Sequence, residues 1–192
     1  MGIADWRVGN AVKDTLSDSD LMKMKPFSFM GIGFDPKTFK VLKTVIEQGK
    51  IKVEYDSTKD GYAEYDYATN TMLLGFYVAG TFERTALIVH ESVHAVYDVA
   101  KQKMSNAISE AIAYIVQCQY VYVANGPGKR LSSPIAKKDS VFKYAWSIAA
   151  AIQEGKEIDK LDKTNLLSSI SAHPYYAKIA TGQVPTDGVP GT

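Results

Sequence analysis

The order of segments along the chain predicts an α+β fold, in which a small antiparallel sheet packs on a helical core. Two observations lead to this class. Short segments that alternate apolar and polar residues are grouped between residues 51 and 76, and long segments with helical spacing occupy the chain after Gly80. Strands and helices that are segregated in this way are typical of α+β domains. A chain of 192 residues is also long enough to bury a sizeable core in one domain.

We expect a single domain over residues 1–181, with an N-terminal helical extension over residues 1–30. A helix is predicted around residues 10–24 of this extension. The last residues, 182–192, are rich in Gly and Pro. Terminal segments of this composition are commonly mobile, so we expect a flexible C-terminal tail there.

The first strongly patterned helix is predicted to begin at Asp35-Pro36 and to end near Gly49. Asp is a favoured N-cap, and Pro is favoured at the first helical position. Strand-like segments follow at residues 51–55, 62–67 and 71–76. Because the intervening Ala-Thr-Asn sequence is typical of a turn, the last two of these segments are predicted to form a hairpin within the sheet.

Four helices are predicted beyond Gly80. Their expected bounds are about 82–101, 105–124, 133–154 and 161–171. Thr81 is the candidate N-cap of the first, and Ser105 or Asn106 that of the second. The third is predicted to open at Ser133-Pro134 and to stop before Gly155.

Composition argues against several classes of function. Lys and Arg number 22 and Asp and Glu 21, for a formal charge of +1. A balanced charge gives no reason to expect a nucleic-acid partner or an anionic membrane surface. The one cysteine, Cys118, rules out an intramolecular disulfide and is interpreted as a small buried hydrophobe.

The sequence shows no pattern of a signal peptide or a transmembrane helix. The longest apolar stretch, residues 107–124, is interrupted by Glu110 and two glutamines, so it is too polar to span a bilayer. A cytoplasmic location is therefore the default expectation. A trimmed secreted form, or a protein exported without a leader, has the same pattern, and the oligomeric state is left open.

The strongest chemical signal is the motif His90-Glu91-Ser92-Val93-His94. On a helix, two histidines four residues apart lie on one face and can share a metal ion. Neutral imidazole suits Zn²⁺. Glu91 projects elsewhere, so it can act on a metal-activated water as a general base. The rest of the segment is apolar on nearly every side, which predicts a buried helix whose polar groups need partners.

Glu110 is the predicted third metal ligand. It is a lone carboxylate in the apolar sequence AISEAIAYIV, and Glu is rarely buried without a partner. If the next helix returns beside the first, Glu110 lies opposite the two histidines. Two His, one Glu and a water form a catalytic zinc arrangement, with one Zn²⁺ per chain.

Three alternatives remain open for these residues. The His-Glu cluster can be a core cluster without metal. Glu110 can form an ion pair with a cation such as Lys101 or Lys103. His173, the one histidine outside the motif, can replace Glu110 in a three-His site.

The sequence HESVH followed by SEAIAY resembles the gluzincin metallopeptidases, the thermolysin-like group, over residues 85–117. Members of this group carry His-Glu-x-x-His on one helix and a glutamate, often followed by Ala, on the next. The short spacing to Glu110 is similar to that of the compact minigluzincins. The resemblance implies a zincin-like fold, in which an antiparallel sheet precedes the metal-binding helix, and it implies peptidase activity.

The resemblance also implies roles beyond metal binding. The strand before the metal helix, Thr71–Phe76, is expected to pair with an extended peptide or protein substrate. An oxyanion stabiliser is expected downstream, where the chain offers His173, Tyr175 and Tyr176.

The chain departs from the family at a residue that buttresses a ligand histidine. The thermolysin-like pattern has Asp four residues after the ligand glutamate, where this chain has Tyr114. Asp98, one turn beyond His94, is a candidate substitute or else a solvated residue at the helix end.

Two functions are therefore predicted from the sequence. The first is a zinc metallopeptidase that hydrolyses peptide bonds through a metal-activated water, with Glu91 as the general base. The second is a non-catalytic gluzincin-like binding protein, whose zinc site is structural or sensing.

Overall fold

The structure, a computed structural model, describes residues 3–127, 139–178 and 180–192. It contains two compact units. Unit 1 comprises the described parts of Met1–Ser19, Lys37–Lys103 and Pro185–Thr192, and unit 2 comprises those of Asp20–Pro36 and Met104–Val184. The expectation of one domain over residues 1–181 stays a prediction.

The predicted α+β class is confirmed. The described strands are β1 (Ile3–Ala4), β2 (Phe27–Phe29), β3 (Ile32–Phe34), β4 (Lys52–Tyr55), β5 (Ala63–Asp66) and β6 (Thr71–Leu74). The described helices are α1 (Trp6–Leu16), α2 (Thr38–Glu47), α3 (Phe82–Val99), α4 (Asn106–Asn125), α5 (Ser140–Glu154) and α6 (Lys160–Ala172). None of these helices is long and apolar enough to cross a membrane.

Unit 1 is built on a four-stranded sheet with the order β1-β4-β6-β5. The predicted hairpin is confirmed, since β5 and β6 pair antiparallel. In its turn, the Asp66 carboxylate accepts hydrogen bonds from the Ala68 amide and the Thr69 hydroxyl, and Asn70 has φ of +50°. The sheet as a whole is mixed rather than antiparallel, because β4 runs parallel to β6.

A close contact at Gly75 helps the chain to cross from β4 to the far side of β6, where it forms β5. After β4 the chain passes through a 3₁₀ turn, Ser57–Lys59, and then adds β5 on the far side of β6. A Cβ atom on Gly75 would lie 2.5 Å from the backbone carbon of Lys59. Only glycine therefore lets the turn pack against the end of β6.

The first helix lies earlier than the sequence pattern predicts. It spans Trp6–Leu16 rather than residues 10–24, because the Asp5 carboxylate accepts a hydrogen bond from the Arg7 amide and caps the helix there. Val8, Val12 and Leu16 of α1 are buried, and β1 pairs with β4. This part of the predicted extension is integral to unit 1.

Unit 2 contains a short hairpin, β2–β3, that the sequence pattern does not predict. Its strands have three residues each, and its turn uses positive φ at Met30 and Gly31.

Helix α2 of unit 1 begins at Thr38, slightly later than predicted. The last three of the described helices, α4, α5 and α6, pack on one another in unit 2. The predicted start of α5 at Ser133-Pro134 lies outside the described residues, whereas its predicted stop is confirmed by Gly155 at φ of +72°.

The C-terminal residues, which are predicted to form a flexible tail, make packing contacts and hydrogen bonds in both units. In unit 1, Val189 is buried, and the Thr186 hydroxyl donates to the Gln102 carbonyl. In unit 2, Val184 is buried, and its amide donates to the Met104 carbonyl. The Gly and Pro content of this segment excludes regular structure, but its valines still gain free energy by burial.

Candidate metal centre

Helix α3 of unit 1 is buried over most of its length. The Thr81 hydroxyl accepts a hydrogen bond from the Arg84 amide, which fixes the start of the helix as predicted. Twelve residues between Ala86 and Asp98 are buried on all sides of the helix. The sequence therefore places polar side chains in an environment from which water is largely removed.

The three polar residues of the motif share this burial. His90, Glu91 and His94 expose 5%, 8% and 6% of their surfaces. The two imidazole rings lie one helical turn apart, with their centroids separated by 5.1 Å. They present nitrogen donors on one face of the helix, as the spacing predicts.

Glu110 lies near the start of helix α4 in unit 2. The Ser105 hydroxyl accepts a hydrogen bond from the Ile108 amide, so Ser105 is the N-cap. Glu110 is half-buried, and its Oε2 atom is buried from solvent. The residues on either side, Ser109 and Ala111, are buried as well.

The structure brings His90, His94 and Glu110 together. Each offers one ligand atom, and these atoms all lie within 4.8 Å of one another. A tetrahedral Zn²⁺ with bonds of about 2.0–2.1 Å holds its ligand atoms about 3.4 Å apart. The observed separations are of the same order, so the three residues could hold a metal ion. The group contains Glu110 and not His173.

The donor set also fits a divalent transition metal. Two imidazoles and one carboxylate are ligands that suit zinc, and a three-ligand set leaves a coordination position for water. The same donors also bind other first-row metals, which differ in affinity and in preferred geometry. The residues therefore support a metal site without specifying which metal occupies it.

Glu91 is held by the backbone of strand β5 and is not a member of the ligand group. The Tyr65 amide donates to Glu91 Oε2 over 2.9 Å, in buried surroundings. A carboxylate offers about four lone-pair sites, so one backbone donor orients the group and leaves acceptor capacity for other partners. This contact fixes the direction in which the carboxylate projects from α3.

Asp98 does not buttress a ligand histidine, which corrects one expectation from the sequence. Its Oδ2 atom accepts a hydrogen bond from the Tyr65 hydroxyl over 2.8 Å, and its Oδ1 atom accepts one from the Gly188 amide over 3.1 Å. The residue is completely buried, so it is not a solvated helix-end residue either. Burial raises the pKa of the Asp98 carboxyl, an effect that the two hydrogen bonds partly oppose.

Two tyrosines in and beside β5, Tyr65 and Tyr67, approach the centre, although the sequence pattern predicts no role for either. Tyr65 is buried, and its ring meets that of Tyr67 edge-on with centroids 5.1 Å apart. The Tyr67 ring in turn lies 6.1 Å from that of His94. The alternation of residues 62–67 contains a signal for this placement, because residues two apart on a strand share a face.

The predicted oxyanion residues lie together at the end of helix α6 in unit 2. His173 Nε2 is 3.6 Å from Asp139 Oδ2, and Tyr175 is 70% exposed. The hydroxyls of Tyr176 and Tyr114 are hydrogen-bonded over 2.8 Å. The role of His173 and Tyr175 in catalysis stays a prediction.

The expectation that strand Thr71–Phe76 pairs with substrate is wrong for its strand residues, Thr71–Leu74. This strand is β6, which is bonded to β4 on one side and to β5 on the other. An inner strand has no backbone groups available for strand addition. Among the described strands, β5 forms the edge of the sheet on this side.

Comparison of the chain with protein-family models, with curated proteins and with solved structures gives no significant match.

Proposed function

We propose that the protein is a zinc-dependent metallopeptidase of the gluzincin type. The observation that carries the proposal is the convergence of His90, His94 and Glu110 to within 4.8 Å. Glu91, the residue that follows the first ligand, is buried beside them. The resemblance of the sequence motif to gluzincins supports the same reading.

His90, His94 and Glu110 would hold the ion. When bound, zinc supplies Lewis-acid chemistry that polarises a carbonyl and lowers the pKa of a water. Glu91 would accept the proton of the attacking water and pass it to the leaving amine. The hydroxyl of the water would join the carbonyl carbon and the C–N bond would break. The products are a carboxylic acid and an amine. The Tyr65 amide would orient Glu91 for both transfers.

The edge strand β5 is the part of unit 1 suited to an extended peptide. The Gly75 amide donates to the Tyr62 carbonyl, and Ala63 and Tyr65 lie opposite Leu74 and Met72. Because antiparallel pairing alternates, the backbone groups of Ala63 and Tyr65 are directed away from β6. One of them, the Tyr65 amide, bonds Glu91. A peptide that pairs along this edge would run beside the general base.

Metal content and a single substitution test the proposal together. We expect about one zinc per chain in protein purified without chelator, measured by elemental mass spectrometry. Glu91→Gln keeps an oxygen acceptor for the Tyr65 amide but cannot take a proton. It should keep the zinc and lower kcat on an unfolded protein substrate by about 10²–10⁴-fold.

The matched control is Glu47→Gln, on helix α2, where the carboxylate is 49% exposed. It should match the wild type in metal content and rate. Wild-type activity in Glu91→Gln would exclude Glu91 as the base. Failure of folded protein to take up added zinc would exclude the metallopeptidase altogether.

A second function, a non-catalytic protein with a structural zinc, is favoured by one contact. The Glu91 carboxylate already accepts a backbone hydrogen bond from Tyr65, which is a structural use of this residue. In that case chelation would lower thermal stability, because metal-binding free energy is then folding free energy. No activity would be lost on chelation or regained with zinc, which distinguishes the two functions.

A further inference from the structure

Tyr65 connects the two buried carboxylates of helix α3. Its amide donates to Glu91, and its hydroxyl donates to Asp98, seven residues further along the helix. All three residues are buried, with exposed fractions of 4%, 8% and 0%. Strand β5 is therefore fastened to α3 at two points, one through its backbone and one through a side chain.

This fastening matters because β5 is an edge strand. On one side it is bonded to β6, and no other described strand of the sheet pairs with it. If β5 were hydrogen-bonded only to β6, side-chain packing alone would set the distance between β5 and α3. Two hydrogen bonds from one residue set both the distance and the register between strand and helix.

The C-terminal segment completes the arrangement within unit 1. The second oxygen of Asp98 accepts the Gly188 amide. Gly188 has φ of +92°, and a Cβ atom there would overlap the side chain of Lys101. Val189 is 2% exposed, and the Thr186 hydroxyl bonds the Gln102 carbonyl. Segment Pro185–Thr192 thus packs on the end of α3 and fixes the Asp98 carboxylate that receives the Tyr65 hydroxyl.

We propose that Tyr65 and Asp98 are positioning residues for Glu91, and that segment Pro185–Thr192 supports them by holding Asp98. The inference rests on the proposed peptidase function for its effect on rate. The chain of contacts runs from Gly188 to Asp98, to the Tyr65 hydroxyl, and through the Tyr65 backbone to Glu91. Displacement of a catalytic group by about 1 Å can cost about 10²-fold in rate.

The first test is independent of activity. Tyr65→Phe removes the hydroxyl and keeps the backbone amide. Hydrogen exchange of the amide at position 65, followed by NMR, should be faster in this variant by at least about tenfold, which corresponds to about 1.4 kcal/mol of lost protection. Truncation after Pro185 should produce the same change. Amides of β6 should keep their protection, which shows that the sheet remains folded.

The second test separates positioning from general stability. In zinc-loaded, folded protein, Tyr65→Phe should lower kcat by about tenfold and leave KM and zinc content unchanged. Asp98→Ala should have the same effect, and Asp98→Asn should recover part of the rate, because the amide oxygen still accepts one of the two hydrogen bonds. Tyr55→Phe is the matched control, since this half-buried tyrosine of the same sheet stacks on Tyr77.

The outcomes distinguish failure of this inference from failure of the proposed function. Unchanged exchange at position 65 in Tyr65→Phe would overturn the positioning role, whatever the activity. A wild-type protein that binds zinc but hydrolyses no peptide would overturn the peptidase. Even if the wild type were inactive in this way, faster exchange at position 65 in Tyr65→Phe than in the wild type would still support the link from Asp98 through Tyr65 to Glu91.

Discussion

At the scale of single residues, burial determines how the carboxylates of α3 behave. Glu91 and Asp98 lie in the same apolar helix, and each accepts a hydrogen bond from Tyr65. Removal of water penalises a charged carboxylate, and hydrogen-bond donors offset part of that penalty. The two groups are thereby kept in defined orientations, which solvated carboxylates on a helix surface would not be.

The raised pKa of Asp98 predicts a pH dependence of stability. A carboxyl whose pKa is higher in the folded state than in the unfolded chain binds more protons when folded. Its contribution to the free energy of unfolding is therefore fully present below the unfolded value, 3.8, and is lost as pH rises through the folded pKa. Asp98→Asn lacks this dependence.

Urea denaturation of metal-free wild type and Asp98→Asn between pH 3 and pH 7 measures the effect. The stability of the wild type relative to the variant should fall as pH rises. A relative stability that rises with pH would show that the hydrogen bonds from Tyr65 and Gly188 outweigh burial. Metal-free protein is used because the binding of a metal ion to protein side chains is itself pH-dependent and would add to the effect.

At the scale of elements, the register of β5 on β6 separates outward from inward backbone groups. Ala63 and Tyr65 are directed to the edge, whereas Glu64 and Asp66 lie at the positions that bond β6. Edge strands tolerate proline where the missing amide faces outward. Proline substitutions at outward and at inward positions of β5 should therefore have different effects on the fold.

Ala63→Pro should keep the fold and raise KM for peptides, because it removes an outward amide without breaking a bond to β6. Circular dichroism and steady-state kinetics would follow the two effects. Glu64→Pro is the matched control and should lower the thermal midpoint, since it removes an inward amide. An unchanged KM in a folded Ala63→Pro variant would place the substrate elsewhere than on this edge.

At the scale of the whole molecule, metal binding and folding are expected to be linked. His90, His94 and Glu110 come from two helices separated along the chain, so the ligand set is complete only in the folded protein. A ligand that binds only the native state stabilises it by an amount that grows with its concentration.

Zinc at one hundred times its Kd should stabilise the protein by about 2.7 kcal/mol. Differential scanning calorimetry with and without chelator measures the shift in thermal midpoint. His94→Ala should show no shift, because one ligand is missing. The Lys43→Ala variant, on the surface of α2, should respond like the wild type. A shift of equal size in His94→Ala would place the stabilising metal at another site.

Much of the candidate centre could be predicted from sequence, because its signals are local. Helical spacing puts His90 and His94 on one face, and the apolar residues around them predict burial. A lone carboxylate in an apolar helix identified Glu110. The N-caps Thr81 and Ser105 follow from the preferences of single residues, and the β5–β6 hairpin follows from its turn residues.

The sequence by itself determined the α+β class, the hairpin and the three residues that can hold a metal ion, since each depends on residues close in the chain or on burial alone. Tertiary structure decided which strand forms the edge, how Asp98 is used and where the last residues pack. These depend on pairing between distant segments, as when β4 joins β6 in parallel and Gly188 reaches Asp98. Periodicity carries no information about such partners, because many pairings bury the same apolar faces.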